Sequence, residues 1–431
     1  MLKRLKIQAE DILRHNPVVR NLLASVTLLR TPGATAEGTA EAARRISKLC
    51  QAARLASTQS MMLKAEAAIA RQITAVDPAQ LPWAEFLPDF DQPCIQKAIV
   101  LKRFVSEREK GVVFVSFDNQ MARLAKAGKL REFARHYTLV LSPQWSPQHS
   151  IASYLFPRLY PEPIFCLISN PRDLEIFPRI SDTYRMIPLY ASSWVDPREF
   201  TPVPYAEKNI DIFMLANFAK YKRHHALFAA LGELPREYRI LLVGQRERGR
   251  DKDTLLNEAA AFGVSDRFEI RENVTDEELH DSFVHAKTSL ILSRREGSCV
   301  AVVESMFANT PVGLYEDAEI GSRVFINQNT GRLLRHNHLA AQLKDFVDSS
   351  AQYEPRRWVM EEGVDCVSSS RKLNEALKQW TLSNGGQWTE DIATLRWRPN
   401  PQYYEPEDAV RLRPCYDEFE NLYGICIAAP R

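Results

Sequence analysis

Hydrophobic positions repeat with two different spacings along this chain of 431 residues. Up to about residue 75 they follow helical spacing, and the helices are interrupted at Pro17 and in the TPGATAEGTA stretch (31–40). From about residue 81, short apolar runs alternate with helical segments. This alternation predicts parallel β-sheets that are covered by helices.

The first group of apolar runs predicts one sheet, and three prolines within eight residues of the segment 194–209 then predict a hinge into a second unit. The strands predicted before that hinge are 111–117, 138–143, 163–169 and 184–190.

The second unit has the more regular pattern and predicts a doubly wound sheet. Its predicted strands are 210–216, 238–244, 268–274, 288–293, 312–317 and 330–335. Thr275 with Glu278 three residues later is typical of a capping box at a helix start.

These patterns predict four segments along the chain. The last contains a helix around 371–382 that we expect to cross back to the first domain. The segments are a helical extension (1–80), a Rossmann-like acceptor domain (81–205), a nucleotide-sugar-binding domain (206–370) and a crossing helix with a tail (371–431).

Charge is nearly balanced, with 56 Lys and Arg against 54 Asp and Glu, so the whole chain does not have the basic field of a nucleic-acid-binding protein. Residues 1–75, however, contain twelve basic and five acidic residues. We interpret this region as a helical extension packed on the domain behind it. A basic amphipathic helix that makes peripheral contact with a membrane surface is the alternative.

The seven cysteines form no CxxC pair, and their odd number and scattered spacing predict reduced thiols in a reducing compartment. No signal-peptide pattern and no run of about 18 apolar residues is present. We therefore expect a cytoplasmic protein. If its basic N-terminal region contacts a membrane, the contact would be peripheral and on the inner face.

Two carboxylates stand at the junction of a predicted buried strand and a helix that starts near Cys299. Glu296 and Glu304 are separated by seven residues, one just before the helix and one inside it. Ligands of open α/β sheets bind at this carboxyl edge. Carboxylates accept hydrogen bonds from vicinal hydroxyls, while the N–H groups of Gly297, Ser298 and Cys299 suit an anion. A sugar nucleotide carries both kinds of group.

A basic loop at the same edge of the predicted sheet would hold the diphosphate of such a ligand. Lys222 is the first choice for this role, and Arg223, His224 and His225 enlarge the positive cluster. A solvated basic loop is the alternative for this segment taken alone. The paired glutamates of the same sheet favour the phosphate interpretation.

Gly244 ends a predicted strand, where the missing side chain would let a ligand approach the backbone. No GxGxxG motif is present. Two Asp-x-Asp patterns, 89–91 and 251–253, are interpreted as solvated turns rather than metal sites, and no His/Cys cluster has the spacing of zinc ligands. We therefore predict no metal site.

Several stretches between Ile210 and Val347 resemble, in order, the nucleotide-sugar-binding domain of the retaining GT-B glycosyltransferases, in particular glycosyltransferase family 4 (group 1). The Glu-x7-Glu element is the most specific of them. The stretches are ANFAKYKRH, ILLVG, FEIRENVTDEELHDSFVHA, LILSRREGSCVAVVESMFANTPV and TGRLL.

The resemblance implies a GT-B fold: α/β, with two Rossmann-like doubly wound domains facing a cleft, here with an N-terminal helical extension. It implies catalytic roles for Lys222, on the donor diphosphate, and for Glu296, facing the donor sugar. Asn217 stands where the family usually has an arginine beside the phosphates. The donor-binding residues implied are Asn217, Arg223, Gly244, Asn273 and Val274 beside the base, Gly297, Ser298, and Glu304 on the ribose hydroxyls.

The activity implied is transfer of a hexose from a nucleotide diphosphate sugar to a glycan or lipid-linked acceptor, with retention of anomeric configuration and without a metal or other cofactor. Such an enzyme would act in polysaccharide biosynthesis. Two alternatives remain open: a sugar-nucleotide epimerase or hydrolase of the same fold, and a non-catalytic nucleotide-sugar-binding protein.

Overall fold

The computed structural model describes residues 2–31, 38–86, 94–127, 129–143, 149–398 and 400–430. The chain divides into two compact units. The five-stranded unit comprises residues 14–194 and 366–431, and the six-stranded unit comprises residues 1–13 and 195–365. The segment predicted as an extension (1–80) is thus divided between the units, and the C-terminal segment belongs to the five-stranded unit.

Four helices form the N-terminal segment, and three of them pack together within the five-stranded unit. Asn16 caps the second helix by accepting hydrogen bonds from the N–H groups of Val18 and Val19. The third helix buries Ala42, Ala43 and Ile46, among other residues. The four helices are α1 (Leu2–His15), α2 (Pro17–Arg30), α3 (Thr39–Leu55) and α4 (Gln59–Ile73).

Helix α1 differs from the other three because none of its residues is buried. Most of its length belongs to the six-stranded unit. The expectation that the whole extension packs on the domain behind it is therefore wrong for α1. Its leucines are exposed, whereas a surface helix normally turns its apolar stripe toward a core.

The five-stranded unit has a sheet with consecutive strand order, in which the first strand is antiparallel to the second and the later neighbours are parallel. The strands are β1 (Ala98–Lys102), β2 (Gly111–Ser116), β3 (Tyr137–Ser142), β4 (Ile164–Ile168) and β5 (Tyr184–Tyr190). The helices between them are α5 (Asn119–Ala127), α6 (Leu130–His136), α7 (Ile151–Leu155) and α8 (Asp173–Ile180).

The six-stranded unit is a parallel sheet whose first strand in the chain lies in the middle. The strands are β6 (Ile212–Leu215), β7 (Ile240–Gly244), β8 (Glu269–Glu272), β9 (Ser289–Ile291), β10 (Val312–Tyr315) and β11 (Gly331–Leu334). The helices are α9 (His224–Leu231), α10 (Lys252–Phe262), α11 (Asp276–Val284), α12 (Val300–Phe307), α13 (Leu339–Asp348) and α14 (Pro355–Glu361).

The strand order of this sheet is β11-β10-β9-β6-β7-β8, which is the Rossmann order. The chain winds outward in both directions from the neighbours β6 and β9, and crevices at such a reversal bind ligands. All carboxyl ends lie at one edge because neighbouring strands are parallel. The sequence-based expectation of a doubly wound α/β fold is confirmed.

The C-terminal segment returns to the five-stranded unit. The hydroxyl group of Tyr403, in this segment, donates a hydrogen bond of 2.7 Å to the carbonyl oxygen of Val100 in the first strand of that sheet. The elements of this segment are α15 (Cys366–Ser383), β12 (Leu395–Trp397), β13 (Pro401–Tyr403) and α16 (Pro406–Glu418).

A disulfide joins Cys94 to Cys426, so the prediction of reduced thiols throughout is wrong for this pair. A parallel bridge between Ile95 and Ile427 places the two residues side by side, although 332 positions separate them in the sequence. Spacing along the chain carries no signal for such a pair. The other five cysteines are free thiols.

No helix in the part of the chain that the structure describes is long and apolar enough to cross a membrane.

A buried ion pair gives a test of the five-stranded unit. The ammonium group of Lys102, with 0% of its side chain exposed, lies 2.7 Å from the carboxylate of Glu109. Burial raises the pKa of Glu109, but hydrogen bonds from Lys102 and Thr389 outweigh it and lower the pKa to about 2. We expect Glu109→Gln to lower the free energy of unfolding by roughly 3–5 kcal/mol, because it leaves a buried ammonium uncompensated. Urea denaturation measures this change.

The exposed pair of Arg44 and Glu85 is the matched control, with 53% and 45% of the side chains exposed. Glu85→Gln should leave the free energy of unfolding nearly unchanged, because solvent screens an exposed pair. Equal losses for the two variants would contradict the buried pair's role.

Candidate functional site

The central contact of the site joins a lysine of the loop after β6 to a glutamate of the loop after β9. The Nζ atom of Lys222 lies 2.7 and 2.8 Å from the two carboxylate oxygens of Glu296. Only 15% and 11% of these side chains are exposed. The structure thus brings together the two residues predicted as catalytic, at the carboxyl edge of the Rossmann-order sheet.

The lysine is held in its charged form. Burial lowers the pKa of Lys222, but the neighbouring Glu296 carboxylate outweighs burial, and the net shift is upward. Lys222 is therefore a fixed cation at neutral pH. A fixed cation in a nearly enclosed place can stabilise phosphate charge more strongly than one in water can.

The start of α12 lies beside this pair. Cys299 caps the helix with a positive φ of 46°. Burial raises the pKa of the Cys299 thiol, and the charges of Glu296 and Glu304 raise it further while Lys222 opposes them. Glu304 lies inside α12, the helix that this cap begins. Ser298 is buried, and the carbonyl of Gly297 accepts a hydrogen bond from the N–H of Gly321 at 2.8 Å, which fixes the loop.

Arg223 does not extend freely into this place. Its guanidinium group binds the carboxylate of Asp11 at 2.9 and 3.0 Å and donates to the carbonyl of Leu292 at 3.3 Å, just after β9. Its backbone adopts a φ of 59° at the start of α9. Arg223 thus ties three parts of the six-stranded unit together: α1, the loop after β6 and the end of β9.

Helix α1 supplies a second carboxylate to the same loop. Glu10 lies 2.8 Å from Lys220, and Asp11 also lies 3.6 Å from His225. Burial raises the pKa of Asp11, but hydrogen bonds from His225 and Arg223 outweigh it and hold the pKa below its ordinary value. Sequence reasoning missed both acids, because no local pattern marks a partner more than 200 residues away.

His224 is a correction to the predicted positive cluster. It is 2% exposed, and burial followed by the charges of Arg250 and Lys222 lowers its pKa to about 3. Its ring lies 6.1 Å from that of Phe218. The imidazole is therefore neutral and belongs to the core rather than to a phosphate site.

Asn217 shapes the loop after β6. Its Oδ1 atom accepts a hydrogen bond from the N–H of Ala219 at 3.4 Å, and its Nδ2 atom lies 3.5 Å from the hydroxyl of Tyr221. An amide supports these contacts without adding charge. The position at which the resemblance implies an arginine thus holds an uncharged amide that contacts its own loop.

Gly244 and Asn273 meet at the ends of β7 and β8, where the N–H of Asn273 donates to the carbonyl of Gly244 at 3.0 Å. Asn273 has a φ of 57°, a conformation that asparagine tolerates better than most residues. Val274 follows and is half-buried. The structure therefore places these predicted donor-binding residues together at the carboxyl edge of the sheet.

A capping box starts α11 as the sequence predicts: Thr275 accepts from the N–H of Glu278, and the Glu278 carboxylate accepts from the N–H of Thr275. Of the Asp-x-Asp patterns, Asp251 caps α10 by accepting from Thr254, and residues 89–91 lie outside the described residues. Among the described residues, no group of three or more His, Cys, Asp or Glu side chains could hold a metal ion.

The chain is similar to one protein family in sequence and to solved proteins in structure. Residues 196–362 match the family model of the glycosyl transferases group 1. The structure of HepE from Anabaena, solved in complex with UDP, has 16% identity and a TM-score of 0.50 over 63% of this chain and 79% of HepE. Sucrose-phosphate synthase from Thermosynechococcus elongatus has 15% identity and a TM-score of 0.51 over 63% and 74%. The chain has the GT-B glycosyltransferase fold.

No curated protein has significant sequence similarity to the chain. Within the GT-B fold, the matched segment 196–362 contains the strands β6–β11 and both members of the Lys222–Glu296 pair. The family match therefore falls on the unit in which the geometry places the candidate site.

The reason for a glycine at position 244 can be tested. A Cβ atom there would lie 2.1 Å from the backbone oxygen of Ala216 and 2.7 Å from the ring of Phe218. The neighbouring strand end thus requires the glycine, whether or not a ligand also binds there. We expect Gly244→Ala to cost roughly 1–3 kcal/mol or more of unfolding free energy through overpacking. Thermal and urea denaturation measure this loss.

Gly232 provides the control, because an added Cβ atom there meets nothing within 4 Å and its φ is −64°. Gly232→Ala should leave the stability unchanged or raise it by about 0.4–1 kcal/mol. A Gly244→Ala variant as stable as Gly232→Ala would show that the contact with Ala216 imposes no constraint.

Proposed function

We propose that this chain is a glycosyltransferase that moves a hexose from a nucleoside diphosphate donor to an acceptor hydroxyl with retention of anomeric configuration. The observation that carries this proposal is the nearly buried Lys222–Glu296 contact at the carboxyl edge of the Rossmann-order sheet. A cation and a carboxylate in contact there match the two charged parts of the reaction, which are a diphosphate and an electron-deficient sugar.

The reaction breaks the bond between the anomeric carbon and the β-phosphate oxygen and forms a bond from that carbon to the acceptor oxygen. The electron pair of the broken bond stays on the diphosphate, and the proton of the acceptor hydroxyl passes to a diphosphate oxygen. Positive charge develops on the sugar and negative charge on the leaving group. Attack from the leaving-group face gives retention without a protein nucleophile.

Lys222 has the task of stabilising the leaving diphosphate. In the structure its charge is compensated by Glu296. We infer that a bound diphosphate takes over Lys222, because phosphate oxygens offer the same hydrogen-bonding geometry with more charge. Glu296 is then released to accept hydrogen bonds from the hydroxyls of the sugar.

The remaining donor contacts are those that the family resemblance implies for residues at the carboxyl edge of the sheet. Glu304, in α12, would accept hydrogen bonds from the two ribose hydroxyls, and the N–H groups of Gly297 and Ser298 would face the phosphate and sugar. Asn273 and Val274, after β8, would lie beside the base. A glycan or a lipid-linked glycan is the proposed acceptor. Family 4 membership, independence of metal, a cytoplasmic location and a peripheral membrane contact remain predictions.

Two substitutions test the donor site. Lys222→Ala should lower donor turnover by roughly 10²–10³-fold, because it removes one fixed charge from the leaving group. Glu304→Ala should weaken donor binding by about 10–100-fold through loss of charged hydrogen bonds to the ribose. The rate at which UDP is formed from UDP-sugars measures turnover, and calorimetry with UDP measures binding. The product's anomeric coupling constant, measured by NMR, reports retention.

Lys344→Ala is the matched control, since this exposed lysine pairs with Asp348 on the surface of the same unit. It should leave both quantities unchanged. Near-normal turnover in the Lys222 and Glu304 variants would contradict the proposed site. Donor conversion without any acceptor would indicate an epimerase or hydrolase instead, and UDP binding with neither transfer nor hydrolysis would indicate a binding protein.

The acids of α1 generate a separate prediction. Glu10 and Asp11 compensate Lys220 and Arg223 in the loop after β6, which we call the donor loop. The two acids therefore oppose the binding of an anionic ligand to this loop. We expect the double variant Glu10→Gln/Asp11→Asn to bind UDP several-fold more tightly, because it removes two carboxylates that compete with an anionic ligand for Lys220 and Arg223. Calorimetry at low salt measures the change.

Lys3→Ala on the same helix is the control, because Lys3 donates to the carbonyl of Asn257 and not to the donor loop. Weaker UDP binding by the double variant would contradict the prediction. It would show that Asp11 positions Arg223 for the donor instead of competing with it.

A further inference from the structure

The orientation of α1 is set by its polar residues. Lys3 donates to the carbonyl of Asn257 at 3.1 Å, and Arg4 lies 5.2 Å from the centre of the Phe262 ring, both on α10. At the other end, Glu10 and Asp11 bind the loop after β6. Contacts at both ends of the helix hold its polar face against the six-stranded unit.

The opposite face of α1 is apolar and exposed. Leu2, Leu5, Ile12 and Leu13 have exposed fractions of 84%, 51%, 62% and 56%. Positions 2, 5, 9 and 12 lie on one side of a helix, and position 9 is an exposed alanine. Helix α1 is therefore amphipathic in the reverse sense, with its acids turned inward and its leucines turned outward.

The charges around this apolar face have one sign. The two acids of α1 face the loop after β6, where they pair with Lys220 and Arg223. Lys6, which follows Leu5, is exposed at the border of the apolar face, and Lys3 and Arg4 are exposed where they contact α10. Apolar side chains bordered by lysine and arginine are the chemistry that binds an anionic lipid surface.

A second copy of the chain fits this face less well. Helix α1 has 14 residues and is about 21 Å long, so its apolar stripe covers far less than the roughly 800 Å² that each partner of a stable protein interface buries. Two such faces in contact would also bring lysines against lysines. An anionic bilayer removes both difficulties, because it surrounds the stripe and attracts the lysines.

We propose that the outward face of α1, formed by Leu2, Leu5, Ile12 and Leu13 with Lys6 at its border, docks on an anionic lipid surface. The leucines enter the boundary between head groups and acyl chains, and Lys6 contacts the lipid phosphates. Since this inference rests on exposure and charge alone, it holds or fails independently of the donor chemistry proposed for the same unit.

The test is co-sedimentation of the full chain with vesicles of phosphatidylglycerol and phosphatidylcholine, compared with vesicles of phosphatidylcholine alone. Wild type should bind the anionic vesicles and release them as salt is raised. Leu5→Glu/Ile12→Glu should lose at least tenfold in the bound-to-free ratio. Lys6→Gln should lose about fivefold and show a weaker dependence on salt.

Met360→Glu is the matched control, because Met360 is an apolar side chain of the same unit with a similar exposure of 48%. It should bind vesicles as wild type does. Circular dichroism checks that each variant is folded, which the exposure of the substituted side chains predicts. UDP calorimetry on the same samples reports the donor site separately.

Three results would overturn the proposal. The first is no binding of wild type to anionic vesicles. The second is binding that Leu5→Glu/Ile12→Glu leaves unchanged, which would assign the lipid contact to another surface. The third is a dimer in analytical ultracentrifugation that this variant dissociates, without lipid binding by wild type, which would make a second copy the occupant of the face.

Discussion

The ion pair of Lys222 and Glu296 depends on the parallel sheet that brings its two loops together. The residues are 74 positions apart, and they meet because β6 and β9 are neighbours whose carboxyl ends lie at one edge. An ion pair this enclosed contributes little net stability, because desolvation offsets the attraction. We attribute the pair to ligand binding because it lies at the carboxyl edge of the sheet, where such folds bind ligands. In the proposed complex, Lys222 would bind the diphosphate of the donor and Glu296 would bind its sugar.

Electrostatic compensation is the common feature of the site. Glu296 compensates Lys222, Glu10 compensates Lys220 and Asp11 compensates Arg223, so three cations of one loop are each paired with a carboxylate. A diphosphate that binds as we propose would have to replace at least one of these carboxylates. Helix α1 thus links the charge state of the donor loop to a segment whose other face is apolar and exposed.

Features that depend on neighbouring residues could be predicted from the sequence. The capping box of Thr275 and Glu278 needs contacts over three positions, and the buried runs that became β7 and β10 carry their own signal. Features that depend on distant contacts could not. The Asp11–Arg223 pair spans 212 positions and the disulfide spans 332, while the neutral state of His224 follows from burial that only the fold reveals.

The central claim is that a donor diphosphate binds Lys222 and displaces Glu296 from it. A crystal structure of the chain with UDP tests it most directly. We expect the Nζ atom of Lys222 within hydrogen-bonding distance of a β-phosphate oxygen and its contact with Glu296 lengthened or lost, with both ribose hydroxyls on Glu304. UDP bound elsewhere, with the Lys222–Glu296 contact intact, would contradict the claim.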